Sequence, residues 1–264
     1  MNQSLLFLRY FLFLLFFAQG PFLKAQDEPK KPKKERRFES SSAVLIAPSY
    51  TAQFPFGDMK TRFGFNSLIG LHLSYKTANN WLVGGEVGVL VGARVKESYL
   101  LDNISTSSGQ HVTLFNDLTN VKPNEIGYNV KFVAGKIVPL SKKFPDAGLL
   151  FMTSIGFLEH KILFNVRRTE LPQLDKTYRT GYDRLSNGPV VSQFIGGIYM
   201  ERKKFISVYG GLQFDLGFTQ GRRPYDFYLQ KPLNDKRMDM FIGIKFGWII
   251  PIFLQASDKE YYFD

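Results

Sequence analysis

The chain contains no cysteine, and its three histidines, His72, His111 and His160, lie far apart. The first absence excludes disulfides and thiolate metal sites, and the second leaves no close set of imidazole ligands. No G-x-S-x-G element occurs, so the strand-turn-helix nucleophile of many hydrolases is missing. After the first 25 residues there is no apolar run near the 20 residues that a membrane helix needs. What is abundant is phenylalanine, with 26 residues, and glycine, with 23, in a chain of 264 that is 44% hydrophobic. This composition suits one all-β domain with an aromatic exterior; no cofactor is expected.

The opening segment, Met1 to Ala25, has a short leading region ending at Arg9 and a wholly apolar run, YFLFLLFFA, over Tyr10–Ala18. The run is too short for a permanent span, and Ala25 before Gln26 supplies a small residue for cleavage. It reads as a secretory signal; an uncleaved anchor is the alternative. Residues 26–40 follow as a charged tether, QDEPKKPKKERRFE and onward, too polar and proline-bearing to pack. The net charge of +11 would suit nucleic acid, but an exported chain does not meet it. Residues 41–264 form the remaining domain.

The stretch from Trp81 to Val95, WLVGGEVGVLVGARV, fixes the character of that domain. Every second residue from Trp81 through Val83, Val87, Val89 and Val91 to Val95 is apolar, apart from Gly85. The residues between them are Leu82, Gly84, Glu86, Gly88, Leu90, Gly92 and Arg94. Period two is the signature of a strand, and glycines at that spacing exclude a helix at about 1 kcal/mol each. A uniformly apolar face opposite a face of small and charged residues fits a membrane-crossing barrel strand. A buried strand of a soluble, lipocalin-type barrel is the alternative, and it predicts that the valines point inward.

Further strands are expected at 41–52, 63–76, 126–138, 149–164, 190–200, 205–218 and 238–252. That gives an antiparallel up-and-down transmembrane β-barrel of about eight strands. Pro48 calls for a bulge or an early strand end, because a closed barrel has no free edge. The connections TANN (77–80), PLSKKFPDA (139–147) and ERKK (201–204) are short, whereas 96–125, 165–188 and 219–235 are long and polar. Short turns at one end and long loops at the other are the outer-membrane asymmetry. Tyr75, Trp81, Tyr128 and Trp248 near strand ends suit interfacial girdles.

An eight-stranded barrel is just wide enough to be filled by side chains. Glu86, Arg94, Lys131, Asp215, Asp239 and Lys245 all fall on the inward parity. Opposite charges in such a space should pair into a network that closes the lumen; a conducting lumen is the alternative. In the long loops, Arg167, Arg168, Arg179, Arg184, Arg222 and Arg223 are either solvated or paired with lipopolysaccharide phosphates. His160 has Ser154 and Glu159 nearby in sequence, but six strand positions separate it from Ser154 by about 20 Å, so no hydrolytic pairing is expected.

The stretches GFLEHKI (156–162), TGYDRLSNG (180–188), GFTQGRR (217–223) and GIKFGWIIPIF (243–253) resemble a group of outer-membrane β-barrel proteins from Bacteroidota. The resemblance covers about the second half of the domain. It implies location in the cell outer membrane and insertion by the barrel-assembly machinery, for which an aromatic last strand such as KFGWIIPIF is the recognition element. It implies no catalytic residue. The chain departs from that pattern by continuing past Phe253 with LQASDKEYYFD. The expected role is structural or surface-interacting, with outer-membrane lipid and lipopolysaccharide as partners. Alternatives are an accessory barrel working with an envelope protein in secretion, gliding or lipopolysaccharide handling, and, further off, a lipid A-modifying enzyme.

Overall fold

A computed structural model describes residues 40–141, 144–165, 171–200 and 207–254. The segment 1–39, Arg167, Arg168 and the ERKK turn lie outside the described residues. Eight long strands form the body: β1 (Ala43–Gly57), β2 (Asn66–Lys76), β3 (Trp81–Gly92), β4 (Pro123–Ser141), β5 (Phe144–Phe164), β6 (Ser186–Tyr199), β7 (Val208–Gly221) and β8 (Lys236–Trp248). Each is antiparallel to the next in sequence, and β8 returns to β1, so the sheet closes. After Ile249 the last strand resumes over Ile250–Phe253, still on β1. Closure leaves the barrel sheet without a free main-chain edge.

The apolar face is on the outside. Along β3, Trp81, Val83, Val87, Val89 and Val91 are exposed while Leu82, Glu86 and Leu90 are buried; Val89 is 50% exposed and Glu86 4%. Ile69, Leu71 and Leu73 on β2, Val130 and Phe132 on β4, Ile155 on β5, and Ile244, Phe246 and Trp248 on β8 extend the same belt around the wall. The barrel strands run from 11 to 21 residues, against the roughly 9–11 needed to cross a bilayer. Among the described residues no helix is long and apolar enough to cross a membrane.

Several boundaries differ from the sequence reading. β1 runs on to Gly57 through QFPFG, because the inward-outward alternation continues there; Gln53 and Pro55 are buried, and Phe54 and Phe56 exposed. Pro48 sits within β1, paired with Leu71 of β2. On the other side the ladder lapses between Ile46–Ile250 and Ser49–Gly247, opposite Ile249. The strand missing a donor is thus accommodated by a break in its neighbour, and the Ile249 N–H turns to the Ser207 carbonyl instead (2.7 Å). β2 begins at Asn66, after a single helical turn, Met59–Arg62. β4 and β5 extend to Ser141 and from Phe144, so their connection is shorter than expected.

The interior is layered rather than uniformly polar. Near the short-turn end, Leu45, Leu82, Val133, Ile137, Leu150, Phe194, Ile198 and Tyr209 pack as one apolar cluster. Beneath the long loops, Phe63, Leu68, Leu90, Leu158, Ile162, Phe164, Val190 and Phe241 form a second. Leu82 and Leu90 share the inward face of β3 with Glu86 between them, so one strand supplies both apolar layers and the charge that separates them.

Candidate functional site

The polar layer lies between the two apolar clusters. Glu86 (β3) takes Lys245 (β8) on Oε2 and Lys131 (β4) on Oε1, the latter at 3.4 Å. Lys131 Nζ also reaches Asp215 Oδ1 (β7) at 3.1 Å and donates to Ser192 Oγ (β6) at 3.3 Å. Asp215 accepts further from the Ser192 hydroxyl, from Gln213 Nε2 (2.8 Å) and from Gln53 Nε2 of β1 (3.1 Å). His72 of β2 stands 3.8 Å from Glu86 and is hydrogen-bonded to Ser74 Oγ at 3.0 Å. Seven of the eight strands contribute, and two lysines balance two carboxylates. Buried charge of this kind is tolerated only when each member has several partners.

Of the six residues expected to share this network, Glu86, Lys131, Asp215 and Lys245 come together. Asp239 does not join them. It lies nearer the loop end, where Oδ2 meets His160 Nε2 at 3.0 Å and the Thr219 hydroxyl. Arg94 is not in the lumen at all, which corrects its inward assignment. β3 ends at Gly92, the chain bends, and Arg94 is exposed with its side chain over Gly64. Extending the alternation by two residues past the true strand end produced that error.

The loop end is closed by a second set of ion pairs. Arg184 is buried and bonded to Glu97 through Nη1 and to Asp226 through Nε at 2.9 Å. Arg62 Nε approaches the same Glu97 oxygen at 3.5 Å, and Tyr99 Oη donates to it at 3.1 Å. Asp226 also caps the backbone N–H groups of Tyr228 and Leu229. Arg184 therefore offers nothing to a lipid phosphate, which corrects its assignment as a surface contact. Burial opposes its charge, but Glu97 and Asp226 prevail and its pKa rises. For Arg62, burial and neighbouring Arg237 prevail, and the value is pushed down to about 10.

The remaining described arginines are more accessible. Arg223 forms a two-point pair with Asp183, with Nε to Oδ1 at 2.6 Å. Arg222 is exposed and donates to Asn187 Oδ1 at 2.7 Å, and half-buried Arg179 reaches the Leu174 carbonyl at 3.2 Å. Sequence reasoning missed Glu97, Asp226 and Arg62, which sit in loops and a single helical turn where no period of two marks an inward direction. It also missed Gln53 and Ser192, the first through a strand ended too early and the second on a strand of weak parity.

Ser74, His72 and Glu86 occur in the order hydroxyl, imidazole, carboxylate. The 3.8 Å gap between His72 and Glu86 is too long for a hydrogen bond, Glu86 is held by two lysines, and all three are buried between apolar layers. His160 meets neither Ser154 nor Glu159; Glu159 instead accepts from Asn187 at 3.0 Å.

No family model matches this chain, and no curated protein matches it either. Among solved structures it is similar to Ail, the attachment invasion locus protein of Yersinia pestis, crystallised in complex with the heparin analogue sucrose octasulfate. The identity there is 10% and the TM-score 0.42, over 81% of this chain and 100% of that one. It is also similar to Neisserial surface protein A, at 6% identity and a TM-score of 0.42, over 79% of this chain and 99% of that one. A likeness of this degree carries no functional inference.

Proposed function

We propose that this chain is an integral outer-membrane β-barrel with a plugged lumen, serving a structural or surface-interaction role. The supporting observation is the inversion itself, a belt of exposed valine, isoleucine, leucine and aromatic side chains on the outer face of a closed sheet with lysines and carboxylates inside, interrupted where Thr153 of β5 donates to Gln193 of β6 at 2.7 Å. In water such a wall would be driven to associate; in hydrocarbon it is the required surface. Trp81, Trp248 and Tyr75 ring the short-turn end, and Lys136 lies 4.4 Å over the Trp81 ring, an arrangement suited to the headgroup level. By the usual asymmetry the short turns face the periplasm and the long loops face outward, with residues 1–25 as the export signal. Insertion would use the barrel-assembly machinery.

The layered interior supports a lumen that does not conduct. The outer loops would meet lipopolysaccharide chiefly through exposed Arg222, with Arg223 and Arg179 contributing less because they are half-buried. The test is reconstitution. The protein should leave membranes only with detergent and give silent recordings in planar bilayers. Solubility without detergent, or steady unitary conductance, would contradict the reading.

A further inference from the structure

The loop joining β3 to β4 contains a small two-stranded ribbon, His111–Val112 against Leu118–Thr119. Its register sets His111 opposite Thr119 and Val112 opposite Leu118. His111 is buried and lies 3.2 Å from Ser105 Oγ, whereas Val112 and Leu118 project the other way and are exposed. The turn adds Leu114 and Phe115, which are 65% and 71% exposed, and Asn116 takes the positive φ of 65° that closes it. A ribbon built for water would turn these four side chains inward and the imidazole out. This one repeats the inversion of the barrel wall.

The ribbon's loop leaves β3 and returns to β4, two strands whose outer face carries Val87, Val89, Val91, Tyr128 and Val130. Exposed Lys96 and Lys122 stand at the two feet of the loop, Lys96 donating to the Lys60 carbonyl at 2.7 Å. Lysines that flank an apolar surface place their ammonium groups among lipid phosphates while the apolar part enters the acyl layer.

We propose that this ribbon is a membrane anchor, laying Val112, Leu114, Phe115 and Leu118 into the outer leaflet of the protein's own bilayer. The inference rests on the outer-membrane reading above. Its occupant is the acyl layer that the outer face of β3 and β4 already requires, and Lys96 and Lys122 mark the headgroup level. The anchor widens the hydrophobic footprint on the β3–β4 side and holds the longest outer loop against the lipid.

Because the chain lacks cysteine, single spin labels can be placed without background. Labels at Leu114→Cys and Phe115→Cys report the ribbon, Val130→Cys the wall, and Ser108→Cys the exposed polar part of the loop. In vesicles, collision rates are compared for oxygen, which concentrates in acyl chains, and for a water-soluble nickel chelate. The ribbon labels should follow the wall label and favour oxygen several-fold, with Ser108→Cys favouring nickel. Ribbon labels that favour nickel beside a wall label that favours oxygen would overturn the anchor and leave the barrel in its membrane. A wall label that favours nickel would overturn both. Leu114→Ser with Phe115→Ser, at exposed positions, should move a Val112→Cys label from oxygen to nickel in a barrel that still folds; no movement would count against the anchor.

Discussion

The central lumen and the loop cap solve the same problem, buried charge, in two ways. In the lumen the partners come from strands held in register, so Glu86, Lys131, Asp215 and Lys245 are fixed by the barrel itself. In the cap, Arg184, Arg62, Glu97 and Asp226 come from loops and one helical turn, and their ion pairs are what bring those segments together. Arg184 even adopts a φ of 46°, a left-handed conformation that costs a non-glycine residue about 1–2 kcal/mol. The first set fills a shape that already exists; the second creates one. Breaking the first should therefore lower global stability, and breaking the second should loosen loops over an intact barrel.

The largest effect is expected from Glu86→Leu, which strips Lys245 of its carboxylate and half of Lys131's. Stability in vesicles, read from urea unfolding, should drop by about 3–5 kcal/mol. Adding Lys245→Met should recover most of that loss, because the orphaned charge leaves with its partner. A double variant as unstable as the single would show that the layer acts through packing rather than charge. Next comes Arg184→Met. Hydrogen exchange should rise in 97–104 and 226–229, while β3, β4 and β7 keep their protection; uniform loss would erase the distinction between the two regions.

Smaller still is Arg222→Ala. The side chain is exposed, so stability should change by under about 0.5 kcal/mol, and any clear effect should appear in retention by lipopolysaccharide-containing bilayers. A stability loss above that level would place Arg222 in the cap after all. The smallest effect concerns pH. Burial lowers the His111 pKa below the ordinary 6.5, so the folded ribbon resists a proton that the unfolded loop accepts. The ribbon's stability is then full above about 6.5 and declines as pH falls through that value, visible as faster amide exchange at 111–119. His111→Gln should flatten the dependence.

The barrel was legible because the wall obeys a strict period, as β3 shows from Trp81 to Gly92. Where the period runs past the real strand end, parity puts Arg94 in the lumen; where proline and glycine interrupt it, β1 reads five residues short. The charged layer was largely readable, since inward parity selects Glu86, Lys131, Asp215 and Lys245 without knowledge of distances. Asp239 has the same parity but another height in the barrel, and parity carries no height. Nor does it say that leucines above and below Glu86 meet isoleucines and phenylalanines from other strands to form two apolar layers. The cap was illegible for a different reason: Glu97, Arg184 and Asp226 are far apart in irregular segments, and only the folded loops bring them together.

Whether the outer face of the barrel lies in hydrocarbon can be measured directly. The chain's two tryptophans, Trp81 and Trp248, are both on that face, 53% and 51% exposed, which makes intrinsic fluorescence a direct probe. In vesicles whose acyl chains carry bromine, emission should be blue-shifted, strongly quenched by lipid and little affected by aqueous iodide. Red-shifted emission, quenched by iodide and indifferent to bromine, would contradict a hydrocarbon setting.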